Sequence, residues 1–422
     1  MAIKTVKPEN PFFTNANIPD KFFCGRNDET EKILALLQNG NNVVLAAERR
    51  VGKSTLIRHI LNRSEIKKKY NTLYVDINGT SSAEAFINAM NEAFKDPTLS
   101  TFPQKFSREI TEISKEYNSK IELNFRPLHA EGNYRKTEKI QVDNTINEIF
   151  KKLASTSRKN LIVFDEFQQI EEYRDNITAL LRSRIQMMNN TSFIFSGSSV
   201  HMLSSMFMNY NQPFYDSSSM IGLKRIPEDT YIEFCIRMFR LYGKDVAPEV
   251  VSTVYHLSRA NFLTMQKVMN RTFSLTPIKE TANKETVKLA LKDIVESCED
   301  IYSAIRIKES AKNLVNCIAV EGIATELTSA AMTRRYNLGA SSTVDQDLKS
   351  MSANNNSMLV RIGKNGYALR DLFYELWILE KLGLFDQRVD NAQLVYAKET
   401  ELKKKASEIK PLPAKKSTRK PD

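Results

Sequence analysis

The sequence lacks the features that mark secreted, membrane-spanning and zinc-binding proteins. Its four cysteines and four histidines are scattered over 422 residues without disulfide-framework or metal-ligand spacing. No apolar run is long enough to cross a bilayer, and the residues from Met1 to Phe13 contain no apolar stretch of the secretory type. We therefore expect a cytoplasmic protein with no membrane segment, whose cysteines are core thiols in a reducing compartment. No internal repeat is visible.

The net charge of +11 is unevenly distributed. Nine Lys or Arg and four acids lie between Lys398 and Asp422, so this short segment carries +5 of the total. A basic tail can attract nucleic acid or another polyanion, and it can equally be a solvated end with no specific ligand. Both interpretations stay open.

The region from about Asn42 to Gly197 alternates between buried strands and amphipathic helices. Four continuous apolar runs are typical of parallel strands covered on both faces: Val43–Ala47, Leu73–Ile77, Leu161–Phe164 and Phe193–Phe195. Helical stripes lie between them, at Leu56, Ile57, Ile60 and Leu61 and at Val142, Ile146, Ile149, Phe150 and Leu153. This order predicts an α/β fold with a parallel sheet and right-handed crossovers.

The segment after the first strand has the pattern of a phosphate-binding loop. The strand leads through a short loop into Gly52–Lys53–Ser54, which opens an amphipathic helix, as a Walker A motif requires. Gly52 lets the backbone approach a phosphate, and Lys53 supplies a mobile positive charge. Ser54 offers a hydroxyl to Mg²⁺. The alternative is a Gly-Lys-Ser helix start with no ligand. The predicted nucleotide-binding residues are Ala47, Glu48, Arg49, Arg50, Val51, Gly52, Lys53, Ser54 and Thr55.

Two acids follow the third predicted strand. Because Asp165 and Glu166 come at its carboxyl end, we expect them at the edge of the sheet where α/β proteins bind ligands. Asp165 is the predicted Mg²⁺-linked acid, and Glu166 is the predicted base that polarises the attacking water. The alternative is that both acids cap the next helix. Ser198, after the fourth strand, is a candidate sensor of the γ-phosphate, although serines are also ordinary turn residues.

The region from Glu309 to Leu382 contains two helical stretches that end near Gly322 and Tyr336, and a third that opens at Ser341–Ser342–Thr343. An apparent hairpin follows, from Met358–Ile362 through a Gly363–Gly366 turn to Tyr367–Leu369. Three helices and a hairpin occur in winged-helix order. DNA is therefore a candidate partner through Arg334, Arg335, Lys349, Arg361, Lys364 and the basic tail.

Together these pieces resemble the archaeal-type ATPases of the STAND class of P-loop proteins, relatives of the AAA+ proteins. The resemblance rests on Phe23–Glu29 (F-x-G-R-x-x-E), Arg49–Ser54, the DEFQ at Asp165–Gln168, Gly197–Ser199 and Leu369–Trp377. It implies a nucleotide-binding sheet, a helical lid and a C-terminal winged helix, with Gly25 and Arg26 packed beside the adenine. Two departures are Ala47, where the family has glycine, and Arg259–Phe262, where it has a Gly-x-Pro-like turn. Arg259 is a candidate replacement sensor at that turn.

We accordingly predict a P-loop ATPase domain at 1–225 with an insertion at 96–139, a lid at 226–300, a winged helix at 301–390 and a basic disordered tail at 391–422. The predicted function is an ATP-binding switch that hydrolyses ATP slowly with Mg²⁺ and couples nucleotide state to the lid and winged helix. The alternatives are a nucleotide-regulated DNA-binding protein and a non-hydrolysing scaffold, the latter suggested by Ala47. A protein partner and a homo-oligomer also stay open.

Overall fold

The computed structural model describes residues 9–15, 18–124, 131–173, 177–353 and 357–408, with side chains described outside 117–124 and 131–139. Two compact units divide the chain. The sheet unit is Asn15–Ile226, and the helical unit is Pro227–Asp422 together with the segment ending at Thr14. The division falls one residue after the predicted boundary at 225.

The sheet unit is built on five parallel strands, β1 (Val43–Ala46), β2 (Tyr70–Asp76), β3 (Lys159–Asp165), β4 (Thr191–Gly197) and β5 (Ser219–Gly222). Their order is β2-β3-β4-β1-β5. The α/β prediction and its four strands are confirmed. The edge strand β5 was missed because its sequence, Ser-Met-Ile-Gly, is short and only half-buried, so it has no continuous apolar run.

Helices cover the sheet on both faces, as the apolar strands require. Their bounds are α1 Asn27–Gln38, α2 Lys53–Asn62, α3 Ser64–Lys69, α4 Ala83–Lys95, α5 Gln104–Asn124, α6 Glu131–Ala154, α7 Thr178–Gln186 and α8 Val200–Met208, with short 3-10 helices at Asp20–Phe22 and Phe167–Glu172. Val43 and Leu45 pack with the helices nearest the loop, whereas Val44 and Ala46 pack in the opposite core. Successive strand residues thus face opposite layers.

The first part of the predicted insertion at 96–139 contributes side chains to the core of the sheet unit. The segment 96–139 contains all of α5 and the first turns of α6. Phe102, Phe106 and Ile110 are buried in one of the two sheet cores, and Phe102 and Phe106 contact Phe94. Their spacing of four residues is a helical stripe that the polar residues between them concealed. Residues 125–130 of this segment lie outside the described part of the chain.

The helical unit contains eleven described helices and two short two-stranded ladders. They are α9 Glu228–Arg240, α10 Pro248–Leu257, α11 Phe262–Leu275, α12 Lys284–Glu296, α13 Glu299–Ser303, α14 Glu309–Glu321, α15 Ala330–Tyr336, α16 Ser341–Met351, α17 Leu372–Lys381, α18 Phe385–Asp390 and α19 Ala392–Glu408, with strands β6 Asp245–Val246, β7 Thr281–Ala282, β8 Leu359–Ile362 and β9 Gly366–Leu369. Helices α14 to α16 followed by the antiparallel β8–β9 hairpin confirm the predicted winged-helix order.

The prediction of a disordered tail from 391 is wrong for residues 392–408, which form α19. This helix packs against α10 and against the hairpin. Val395 and Leu402 lie on the small core of Ile323, Ile362 and Ala368. The lysine-rich composition concealed this stripe, whose members lie seven residues apart on one helix face. Residues 409–422 lie outside the described part.

Arg259 takes part in a buried ion cluster within the helical unit. It donates to Leu369 O at 2.7 Å and lies 3.5 Å from Glu375, which also lies 3.1 Å from Arg388. Arg259 and Ala260 both have positive φ. This backbone conformation favours glycine, although neither residue is a glycine. The cluster joins the segment predicted as the lid to the segment predicted as the winged helix.

No helix in the described residues combines the length and apolar character needed to cross a membrane.

Candidate functional site

The loop between β1 and α2 has the backbone of an anion-binding site. Arg50 and Gly52 have φ of 64° and 95°, and Gly52 is the N-cap of α2. A side chain at Gly52 would be strained in this left-handed conformation. Among the described residues, the amides of Arg50 and Gly52 donate no hydrogen bond. They are therefore available, together with the positive end of the α2 dipole, for phosphate oxygens.

Ala47, the departure from the family pattern, causes no visible strain. Its φ is not among the positive values of the chain, so this position does not need glycine. Ala47 is buried, and its carbonyl accepts a hydrogen bond from Lys53 Nζ at 3.2 Å. The loop entrance thus tolerates a methyl group.

Lys53 is a buried cation at the start of α2. Its side chain is part of a residue only 7% exposed, and Ala47 O is its one hydrogen-bond partner in the described chain. Burial lowers the pKa of Lys53, and the charges of Glu166 and Asp165 oppose that shift. An ammonium with unused donors in a desolvated place favours an anionic ligand.

Gly25 and Arg26 lie at the start of α1, where both have positive φ. The Arg26 guanidinium is buried; it contacts Glu29 at 2.8 Å and donates to Val51 O at 3.0 Å. It therefore braces the phosphate loop from the side. Of the remaining loop residues, Glu48 and Arg49 are exposed and Thr55 is half-buried.

The structure brings Ser54 and Asp165 together across the edge of the sheet. Ser54 Oγ donates to Asp165 Oδ2 at 3.1 Å, and the amide of Glu166 donates to Asp165 Oδ1 at 3.0 Å. A hydroxyl and a carboxylate at this distance form an oxygen donor set of the kind that Mg²⁺ prefers. The residues present therefore fit a Mg²⁺–triphosphate, with Ser54 and Asp165 as the candidate holders of the metal.

Tyr74 belongs to the same cluster and was missed by the sequence reasoning. Its hydroxyl donates to Asp165 Oδ2, and the Arg58 guanidinium lies 4.9 Å from its ring centre. Burial, followed by the negative charge of Asp165, raises the pKa of Tyr74, so the phenol remains a donor. The available signal was a tyrosine between two apolar residues, Leu73 and Val75, in a predicted buried strand, because a buried hydroxyl requires a partner.

Glu166 is held against the end of β4. Its Oε2 accepts from Ser198 Oγ at 2.7 Å and from the Ser198 amide at 3.1 Å. Arg49 Nε in turn donates to Ser198 Oγ at 3.3 Å. Gln168 Nε2 donates to the same Glu166 oxygen at 2.5 Å. The predicted base and the predicted sensor are therefore direct partners. Gln168, the last residue of the DEFQ motif, is a second residue whose place in the site the sequence did not predict.

A family model described as an ATPase domain predominantly from Archaea matches residues 23–261, which is more than half of the chain. The chain belongs to this family. Outside this archaeal-type ATPase domain, a model of a probable winged helix domain matches residues 287–380. An uncharacterized ATP-binding protein of Methanocaldococcus jannaschii is 26% identical over 172 residues, or 38% of this chain. The match spans 47% of that relative, about half of its length.

Solved structures agree on the fold of this ATPase-domain protein. A Walker-type ATPase of Pyrococcus abyssi is similar with a TM-score of 0.51 and 19% identity, over 87% of this chain and 99% of that one. The Aeropyrum pernix ORC2 protein, solved as ADPNP and ADP complexes, has a TM-score of 0.51 and 12% identity, over 93% of this chain and 98% of that one. At these identities the likeness concerns the fold alone.

Proposed function

We propose that the chain is an ATP-binding molecular switch of the STAND class that hydrolyses ATP slowly with Mg²⁺. One observation carries the proposal: the buried Lys53 ammonium, bonded to Ala47 O, and the Ser54–Asp165 pair lie at the end of a loop whose Arg50 and Gly52 amides donate no hydrogen bond among the described residues. The loop amides and Lys53 would bind the phosphates. The domain family and the name of the ATP-binding relative support ATP as the nucleotide.

In the proposed reaction, water attacks the γ-phosphate in line with the bond to the β–γ bridging oxygen. That bond breaks, ADP leaves with the bridging oxygen, and Glu166 takes the proton of the water. Lys53 stabilises the charge that develops on the phosphate oxygens. When bound at Ser54 and Asp165, Mg²⁺ supplies further charge neutralisation. Ser198 fixes the Glu166 side chain by two hydrogen bonds.

The switch requires ATP to favour one arrangement of the two units over another, because a ligand of equal affinity for both shifts nothing. The ion cluster of Arg259, Glu375 and Arg388 supports a lid and winged helix that respond as one body. We assign Arg259 to that cluster and not to a sensor of nucleotide. The proposed compartment is the cytoplasm.

The test is ATP affinity with and without Mg²⁺ for the full chain and Lys53→Ala. The expected loss is about 10- to 100-fold, the equivalent of the about 1.5–3 kcal/mol of a hydrogen bond to a charged group. Lys68→Ala, which removes an exposed lysine from α3, should bind as the parent does. Equal affinity of Lys53→Ala and the parent would contradict the proposal. Sizing each nucleotide state also reports a homo-oligomer or a bound protein partner.

Phosphate release separates the switch from a non-hydrolysing scaffold. Glu166→Gln should retain ATP binding and lose about 10²- to 10⁴-fold in turnover, the usual contribution of a general base. A parent chain that binds ATP and releases no phosphate would favour the scaffold.

DNA binding is a second candidate function, favoured by the winged-helix match and by exposed Arg334, Lys349, Arg361 and Lys364. Two observations weaken it: the Arg361 guanidinium donates to the Lys364 carbonyl, and Arg335 lies 3.4 Å from Glu321. If duplex DNA binds, its affinity should fall steeply with salt because phosphate contacts release counterions. No binding at low salt would exclude this function.

A further inference from the structure

The two oxygens of the Glu166 carboxylate differ in their hydrogen bonds. All three of its side-chain hydrogen bonds converge on Oε2, from the Ser198 hydroxyl, the Ser198 amide and Gln168 Nε2. Among the described residues, Oε1 accepts no hydrogen bond. One oxygen is thereby fixed while the other is left for a further donor, such as a water molecule.

Gln168 reaches Glu166 through a slot at the end of β4. Gln168 is only 8% exposed, and its side chain passes over Gly197. A Cβ at Gly197 would lie 1.9 Å from Gln168 Oε1 and 2.9 Å from Leu203 Cδ1. Since atoms cannot approach so closely, only glycine at this position leaves room for the amide. The glycine before Ser198 therefore has a steric role, independent of backbone conformation.

The amide orientation in the slot follows from its neighbour. A carboxylate oxygen only accepts, so the atom of Gln168 facing Glu166 must be the nitrogen. This orientation leaves Gln168 Oε1 buried with no partner in the described residues. A buried acceptor without a partner costs stability. A side chain that served folding alone would be better replaced by an apolar one, which points to a role at Glu166.

We propose that Gln168, seated in the Gly197 slot, is a positioning residue that fixes Glu166 so that Oε1 can take the proton of the attacking water. This inference rests on the proposed ATP hydrolysis and adds to it a residue outside the phosphate loop and its acids. Glu166 itself has a φ of 56°, an unfavourable conformation for a glutamate. The Gln168 amide and Ser198, at the end of β4, fix the Glu166 side chain by hydrogen bonds.

The test measures phosphate release and ATP affinity of the full chain in matched variants. Gln168→Met keeps the length of the side chain and removes the donor. Gly197→Ala fills the slot and displaces the amide. Each should lower kcat about 10- to 100-fold, with ATP affinity within about twofold of the parent, because the general base is misplaced and the phosphate loop is untouched. Gln169→Met, which changes a neighbouring glutamine that contacts Glu172, should leave kcat unchanged.

Gln168→Glu adds a readout that a purely structural role would not move. Its carboxyl can donate to Glu166 only when protonated, so its kcat relative to the parent should rise as the pH falls from 8 to 6. Unfolding followed in parallel confirms that each variant is folded.

Several outcomes overturn the inference. If Gln168→Met hydrolyses ATP as fast as the parent, or faster, Gln168 does not position the base; the faster rate would mean that it holds Glu166 away from water. A pH profile of kcat for Gln168→Glu that is parallel to that of the parent would also show that Gln168 does not position the base. If the parent chain binds ATP and releases no phosphate, the proposed hydrolysis fails as well, whereas an active parent with an unaffected Gln168→Met removes this inference alone.

Discussion

Replacing Arg388 with methionine tests the buried ion cluster of the helical unit. The side chains of Glu375, Arg388 and Arg259 are 3%, 7% and 12% exposed. Burial raises the pKa of Glu375, and the charges of Arg388 and then Arg259 oppose that rise. Arg388→Met leaves Glu375 buried, so the cause that raises its pKa remains. The variant loses the Arg388 charge, which is the larger of the two charges that lower this pKa.

The sign of the pH dependence follows from linkage. An acid whose pKa is higher in the folded than in the unfolded chain stabilises the fold below the unfolded pKa of about 4.3, and this contribution is lost as the pH rises through the folded pKa. Arg388→Met should therefore be destabilised more at pH 7 than at pH 5. One proton accounts for about 1.36 kcal/mol per pH unit, so the difference is at most about 2.7 kcal/mol.

The total loss is larger than its pH-dependent part. Arg388 also donates to the carbonyls of Ala319 and Val320, which lose their donor at every pH. Breaking a buried ion pair by removing one partner costs about 3–5 kcal/mol, and we expect a loss of this size at pH 7.

Trp377 gives a direct assay, because it is the one tryptophan in the sequence and lies on α17 two residues after Glu375. Urea unfolding followed by its fluorescence reports the helical unit. With a slope of about 2–3 kcal/mol per molar urea, the 2.7 kcal/mol limit corresponds to about 1 M in the midpoint. Arg334→Met, at an exposed arginine on α15, is the control. Equal losses of unfolding free energy at pH 5 and pH 7, or a loss below about 1 kcal/mol at pH 7, would refute this account. Adding Glu375→Gln to Arg388→Met should abolish the pH dependence of the loss.

Two further substitutions probe the other contacts that the sequence did not reveal. Tyr74→Phe removes a donor to Asp165. It should weaken the Mg²⁺-dependent part of ATP affinity about tenfold or more, because partners that orient a metal ligand contribute this much. An ATP affinity with Mg²⁺ equal to that of the parent would contradict this. Leu402→Ala should destabilise the helical unit by about 1–2 kcal/mol because a partly buried leucine leaves the hairpin core. Trp377 fluorescence measures this loss, with the exposed Lys404→Ala as control, and an unchanged midpoint would show that α19 adds nothing to the hairpin.

The sheet and the phosphate loop were predictable because their signals are local. Val43–Ala46 is apolar at every position, and Gly52–Lys53–Ser54 follows at the spacing that a strand, loop and helix require. The Ser54–Asp165 contact was also accessible, since the carboxyl ends of parallel strands meet at one edge.

The contacts that were missed depend on distant parts of the chain. Tyr74 reaches Asp165 only because β2 and β3 are neighbours in register, and the sequence does not give strand order. Gln168 and Gly197 meet because two strand ends lie side by side. The error over α19 has another origin: a charge-rich composition was taken to describe the whole segment, although Val395 and Leu402 lie on one helix face.

The left-handed backbone of Glu166 has a consequence for reading related sequences. A glutamate in this conformation costs about 1–2 kcal/mol relative to glycine, and asparagine is also better tolerated. If Glu166 is the base of the proposed hydrolysis, a homologue without that activity would gain stability by exchanging the glutamate for one of these. Glycine or asparagine at this alignment column, combined with an apolar residue in place of Gln168, should therefore identify family members that bind nucleotide without turning it over.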